Sequence, residues 1–281
     1  MYKTVLKSTI SAALVFGFAV TNISASAHEG DHDDVNKAAL AKALDAGHRS
    51  AGNVARDKYR HPEGTINFFN ISQNMVVGEI WPGGAGFYAE ILAPYLKDNG
   101  GYHPITRDLA YAKGGYNKGV HTLKAKFEAN PSYGSYSPVD MAQENPDIGM
   151  KGQFDMILTF RNVHNWSMGK YDGPFLKAIN TALKMGGKVG VVDHRLDGPL
   201  EGEEVRGGYM ATSYIVNLFE AHGFKLAGSS EVNANPKDDK DHPEGVWTLP
   251  PSLAKGDVDR AEYLAVGESD RMTLMFEKVS N

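Results

Sequence analysis

No cysteine occurs in the 281 residues, which excludes disulfides, thiolate nucleophiles, cysteine-ligated zinc and a lipid-modified cysteine anchor. The absence suits an oxidising compartment, although reducing compartments also hold many such chains. Basic charge is short as well: 29 Lys and Arg stand against 34 Asp and Glu, a formal net charge of −5. Nucleic acid, whose phosphates require a basic face, is therefore not an expected partner. Long apolar runs are missing too. The stretch from Ile10 to Val20 is about half the roughly 20 residues that a membrane-spanning helix needs.

That short run fits a removable export signal instead. Lys3 and Lys7 precede it, and Ala25-Ser26-Ala27 supplies small residues for cleavage. Residues 1–27 are thus expected to be a signal peptide, leaving an exported, periplasmic chain with no membrane insertion after cleavage. Loss of the two lysines moves the net charge from −5 to −7. His28 to Asp34 is wholly polar and reads as solvated tail. Ala39, Leu40, Ala43, Leu44 and Val54 recur at helical spacing, giving residues 28–60 as a tail and peripheral helical extension. Residues 61–281 are long enough for one sizeable domain.

From Met75 the chain alternates strand and helix. Met75–Ile80, Tyr102–Thr106, Phe154–Phe160 and Lys188–Val192 read as strands, and Phe87–Leu96, Tyr111–Ala129, Phe175–Leu183 and Tyr209–Ala221 as helices. Gly186-Gly187 and His222-Gly223 read as helix stops. Phe224–Val232 and Arg271–Val279 are the last strands, joined by a long loop without a helix, so they are expected to be antiparallel. The order predicts a Rossmann-like α/β fold: a mostly parallel seven-stranded sheet, the last strand antiparallel, with helices on both faces.

Glu79-Ile80-Trp81-Pro82-Gly83-Gly84-Ala85-Gly86 lies where the first strand gives way to a helix. Glycines there let backbone approach a ligand, and ligands in open α/β sheets bind at the carboxyl ends of the strands. A tight turn alone would also use glycine, but four Gly or Pro in five positions exceed what a turn requires. Two cofactors compete. Gly84 to Ala89 matches the dinucleotide pattern G-x-G-x-x-G/A, with Asp108 as a ribose acid. Glu79, however, ends the first strand where pyrophosphate would be repelled, which favours S-adenosylmethionine.

Longer stretches carry a resemblance. Val77–Gly84, Glu90–Leu96, Leu158–Trp166, Gly190–Arg195, Asn233–Lys237, Asp241–Trp247 and Gly267–Met272 resemble a family of often exported bacterial proteins identified as predicted class I methyltransferases. The resemblance implies S-adenosylmethionine as cofactor and methyl transfer to a small-molecule acceptor. It implies Glu79, Trp81, Gly83, Gly84, Gly86, Asp108, Asp140, Arg161 and Asn162 as cofactor contacts. The general methyltransferase loop reads acid-x-Gly-x-Gly-x-Gly, and here Trp81 replaces the first glycine and Ala85 the third. Thr106 stands nearest the slot where an acid would bind the ribose, with Asp108 two residues on.

His164 and Asn165 follow one strand, and Asp193, His194 and Arg195 the next. Topology places both ends beside the glycine loop, so His164, Asp193 and His194 are the catalytic candidates, a histidine as base and Asp193 as orienter or cation ligand. Each alone also reads as a loop residue capping backbone. Asn233 to Pro251 is long for a structureless loop and reads as a lid carrying Lys237, Asp241, His242 and Trp247. Asp193, His194, Asp241 and His242 form a weaker, metal-binding reading. A repurposed fold that binds a small molecule without chemistry is the rival, favoured by export away from the cytoplasmic cofactor supply.

Overall fold

The computed structural model describes residues 26–107, 115–198 and 205–281. The expected signal peptide and Asp108 lie outside them, apart from Ser26 and Ala27. Four helices come first: α1 (Ser26–Leu44), α2 (Ala51–Val54), α3 (Asp57–Arg60) and α4 (Pro62–Phe68). Helix α1 includes residues 28–34, read from sequence as solvated tail. A helix nucleated by the Ala- and Leu-containing stretch extends at little cost, since propagation is easier than nucleation. The extension packs one face on the domain, with Leu40 and Ala43 buried in the cluster that holds Ile91 and Leu92. No helix among the described residues is long and apolar enough to cross a membrane.

The sheet follows: β1 (Val76–Ile80), α5 (Ala89–Leu96), β2 (Gly101–Arg107), α6 (Gly115–Ala129), β3 (Val139–Met141), β4 (Phe154–Phe160), α7 (Val163–Gly169), α8 (Asp172–Ala182), β5 (Leu183–Leu196), β6 (Met210–Ala211), α9 (Thr212–Glu220), β7 (Phe224–Ser230), α10 (Arg260–Val266) and β8 (Arg271–Lys278). Strand order is β3-β2-β1-β4-β5-β8-β7, with the short β6 beside β5. Strands β1 to β5 pair in parallel, and β8 runs antiparallel between β5 and β7. Side chains alternate between two cores. Ile157, Val189 and Val191 join Trp166, Phe175 and Phe219 on one side. Met156, Leu158 and Val192 join Ile91 and Leu92 on the other. Both faces are covered, which explains why these strands are apolar throughout.

Three local expectations are corrected. Strand β3 was not anticipated, being three residues with Asp140 at its centre. Gly186-Gly187 does not end a helix: α8 stops at Ala182, and the glycines lie within β5, where pairing with β4 shifts register. The segment before β8 does hold a helix, α10, whose only buried residue is Tyr263.

Candidate active site

The loop after β1 keeps the backbone of a glycine loop at a residue that is not glycine. Trp81 has φ +50°, while Gly83 and Gly86 have +69° and +57°. A tryptophan in the left-handed region is uncommon and strained. Here its N–H donates to the Ile105 carbonyl at 2.8 Å, and its ring meets Trp166 and Phe175 edge-on. The Arg107 guanidinium lies over the ring, 3.7 Å from its centre. Aromatic packing thus stabilises what glycine would adopt freely.

Trp81, Pro82, Gly83, Gly84, Thr106, Arg107, Asn162 and Asn165 line a cavity of about 180 Å³, closed on one side by α6. Of the residues read from sequence as cofactor contacts, Trp81, Gly83, Gly84 and Asn162 line this one cavity. Asn162 is fixed by donating to the Ile80 carbonyl at 2.9 Å. The two glycines do different work. Space around Gly83 is empty, whereas a β-carbon on Gly84 would sit 3.1 Å from the Gly119 Cα of α6. Gly83→Val should therefore retain the far-UV circular dichroism of the wild type, cost on the order of 1–2 kcal/mol for its positive φ, and abolish ligand binding. Wild-type affinity in that folded variant would make the loop a structural turn.

Gly86 does not reach the cavity, because it is buried against Leu123, whose Cδ1 would lie 2.7 Å from an added β-carbon. Phe87 and Tyr88 are buried, and α5 starts only at Ala89. Gly86 to Ala89, the second half of the dinucleotide pattern, thus lies off the cavity wall. Asp140 is exposed and accepts from the Thr106 hydroxyl at 2.6 Å; it touches the cavity only through Thr106.

Glu79 lies behind the loop. Its carboxylate is buried 3% exposed and accepts from the Tyr102 hydroxyl at 2.6 Å; it does not line the cavity. Burial raises it to about 7, against weaker lowering by Tyr102 and Arg60. Folded Glu79 thus keeps its proton up to about pH 7, whereas unfolded it releases it near 4.5. Between those values the unfolded state binds fewer protons, so this contribution to stability falls as pH rises and is lost above about 7. Glu79→Gln keeps the acceptor and cannot ionise. Its stability relative to wild type should rise by on the order of 3 kcal/mol from pH 4.5 to pH 8. Urea melts at the two pH values check this; a pH-independent difference would show that the carboxylate folds in charged.

His164, Asp193 and His194 lie together at the strand ends, but none of the three lines the glycine-loop cavity. His164, Asp193 and His194 are all buried, and one nitrogen of each histidine and one Asp193 oxygen lie within 4.8 Å of one another. Asp193 Oδ1 meets His164 Nδ1 at 2.8 Å and accepts from the His194 backbone N–H at 2.8 Å. Its Oδ2 accepts from the backbone N–H groups of Val163 and His164 at 2.8 and 3.4 Å. With its lone pairs so engaged, Asp193 orients the imidazole rather than binding a cation. The partner assigns the proton to His164 Nδ1, leaving Nε2 as acceptor. His194 Nδ1 contacts the Ser269 hydroxyl at 2.5 Å. Burial first, then His164 and Arg161, pushes His194 well below the ordinary histidine range, so it is neutral at pH 7.

The segment from Asn233 to Pro251 meets this cluster through Trp247. Asp238 accepts from both Tyr209 and the Asp270 backbone N–H and meets His242 Nε2 at 2.8 Å. Trp247 stands edge-on to His164, ring centres 5.9 Å apart. His242 belongs to this second cluster with Asp238 and Asp239, and Asp241 is exposed. The four-residue metal set is therefore split, because the lid's own hydrogen bonds claim His242.

Arg161 sits apart from the glycine loop, among residues the sequence reading missed. Glu268 takes Arg56 Nε at 2.7 Å, Arg60 Nε at 3.0 Å and Arg271 Nη1 at 3.3 Å. Burial opposes the charged form of Glu268, but Arg60, Arg271, Arg161 and Arg56 outweigh it and hold it at about 2. The available signal was Glu268-Ser269-Asp270-Arg271, four polar residues leading into an apolar strand.

The sequence matches no family model and no curated protein. Solved structures do match. A SAM-dependent methyltransferase from Aquifex aeolicus is 14% identical, covering 86% of this chain and 98% of its own, at a TM-score of 0.53. The [4+2]-cyclase SpnF gives 0.56 at 14% identity, covering 89% of this chain and 96% of its own. A geranyl diphosphate methyltransferase in complex with SAM gives 0.53 at 10%, covering 86% and 94%. The chain has the class I methyltransferase fold. At these identities the likeness extends to the fold alone, and the cyclase shows that one fold carries more than one chemistry.

Proposed function

We propose that the protein is an S-adenosylmethionine-dependent methyltransferase acting on a small-molecule acceptor. The observation that carries this reading is the buried His164–Asp193 pair, on the segment whose Asn162 and Asn165 line the glycine-loop cavity. Fit to the cofactor can be tested on the lining itself. Gly83 leaves room for close approach, Asn162, Asn165 and Thr106 offer polar contacts, and Trp81 Nε1 is a buried donor without an acceptor. These residues fit the amino-acid end of the molecule. A cavity of about 180 Å³ is below the roughly 300 Å³ of pockets that enclose a drug-sized ligand, so it takes that end of the molecule and not the whole.

When bound, S-adenosylmethionine supplies an electrophilic methyl group. The protein positions the acceptor, excludes water under Trp247 and receives the proton. His164 Nε2, oriented through Asp193, takes the acceptor's O–H or N–H proton as the acceptor is methylated, and later returns it to solvent. Asp193 stabilises the imidazolium so formed.

A second reading, a fold that binds a ligand without methyl transfer, is favoured by one feature. Trp81 and Arg107 stack where a cofactor's backbone cradle is usually bare. Calorimetry with S-adenosylmethionine, S-adenosylhomocysteine and NAD in parallel separates the readings. Binding of the first two, lost in Gly83→Val, is expected; binding of neither would overturn the proposal.

A further inference from the structure

Four arginines converge on one carboxylate. Arg56 comes from the turn between α2 and α3, Arg60 from the end of α3, Arg161 from the residue after β4 and Arg271 from the start of β8. Glu268 is their shared partner, which leaves three guanidinium charges uncompensated. Guanidinium does not shed its proton in proteins under ordinary conditions. The neighbouring acid, Glu79, is largely protonated below neutral pH. The hydrogen bonds are equally incomplete. Glu268 uses the Nε edges of Arg56 and Arg60, while Nη2 of each is buried without an acceptor. Among the described residues, no hydrogen bond engages the Arg161 guanidinium either. Arg271, by contrast, spends its Nη2 on the Tyr59 carbonyl.

We propose that Arg56, Arg60 and Arg161 bind an oxyanion, a carboxylate or phosphate group carried by a small molecule. Unpaired buried donors and surplus positive charge are costly, and a planar or tetrahedral oxyanion satisfies both at once through paired N–H contacts. Arg60 is 4% exposed, but Arg56 keeps 19% side-chain exposure and Arg161 is half-buried, so the site has a solvent-facing edge. Its position gives it a use. Arg161 precedes His164 by three residues, and Arg271 pairs with His194 in the sheet register. An acceptor anchored by its oxyanion would extend toward the two imidazoles. That use rests on the methyl-transfer reading; the binding itself does not.

The test uses the whole chain without S-adenosylmethionine. Thermal melts and calorimetry are run with inorganic phosphate, with succinate, and with sodium chloride at matched ionic strength. Saturable stabilisation by phosphate or succinate beyond chloride is expected, and the stronger of the two arms identifies the chemistry. Arg56→Gln and Arg161→Gln, at the exposed edge, should fold and bind the anion about tenfold more weakly or worse. Arg161→Gln should also melt higher than wild type without anion, because it removes an unpaired charge. Stabilisation no greater than chloride, or full affinity in both variants, overturns the site. Neither result bears on S-adenosylmethionine binding, so the two proposals fail separately.

Discussion

Replacing His164 with Asn should lower methyl-transfer turnover by roughly 10² to 10⁴ while leaving cofactor affinity nearly unchanged, the usual size of a general-base contribution. The variant is chosen to preserve structure. An Asn amide can still donate toward Asp193 Oδ1, which His164 Nδ1 now meets at 2.8 Å. It has no equivalent of Nε2. Added imidazole should restore part of the rate, and acceptors already deprotonated at the assay pH should lose less. A merely structural histidine would show neither effect. His194→Asn should lose less than His164→Asn, because Ser269 rather than a carboxylate holds the His194 Nδ1. Equal turnover in wild type and His164→Asn would remove the base from the mechanism.

The largest stability loss is expected from Glu268→Gln. Glu268 is 2% exposed and is the shared counter-charge of Arg56, Arg60 and Arg271. Removing it strands buried guanidinium charge, which costs on the order of 3–5 kcal/mol. The pH dependence has a definite sign. The folded carboxyl is held at about 2 against 4.5 unfolded, so its contribution is full above about 4.5 and is lost as pH falls toward 2. The gap between variant and wild type in urea melts should thus be widest at neutral pH and narrow below 4.5. A difference that stays constant with pH would mean the arginines do not depend on this charge.

What was legible in the sequence follows from the range of the interactions involved. Strands β1, β4 and β5 are continuous apolar runs because both sheet faces are covered, and such runs are visible locally. The His164, Asp193 and His194 grouping was also readable. Parallel strands β4 and β5 are neighbours, so residues at their carboxyl ends must meet. Strand β3 is too short, and α10 too exposed, to leave a periodic signal. The place of Glu79 beside the glycines was readable, but its side-chain partner Tyr102, 23 residues on, was not. The arginine cluster was invisible for another reason. Arg56 and Glu268 are 212 residues apart, and no local pattern reports a pairing of that separation.

Methyl transfer is measured most directly by the formation of S-adenosylhomocysteine. The protein is incubated with methyl-labelled S-adenosylmethionine and fractions of a small-molecule extract, and both S-adenosylhomocysteine and labelled product are quantified by mass spectrometry. Equal amounts of the two are expected, dependent on the added fraction and nearly absent with His164→Asn. S-adenosylmethionine that binds yet yields no S-adenosylhomocysteine with any fraction would contradict methyl transfer, leaving a methyltransferase fold that binds without transferring.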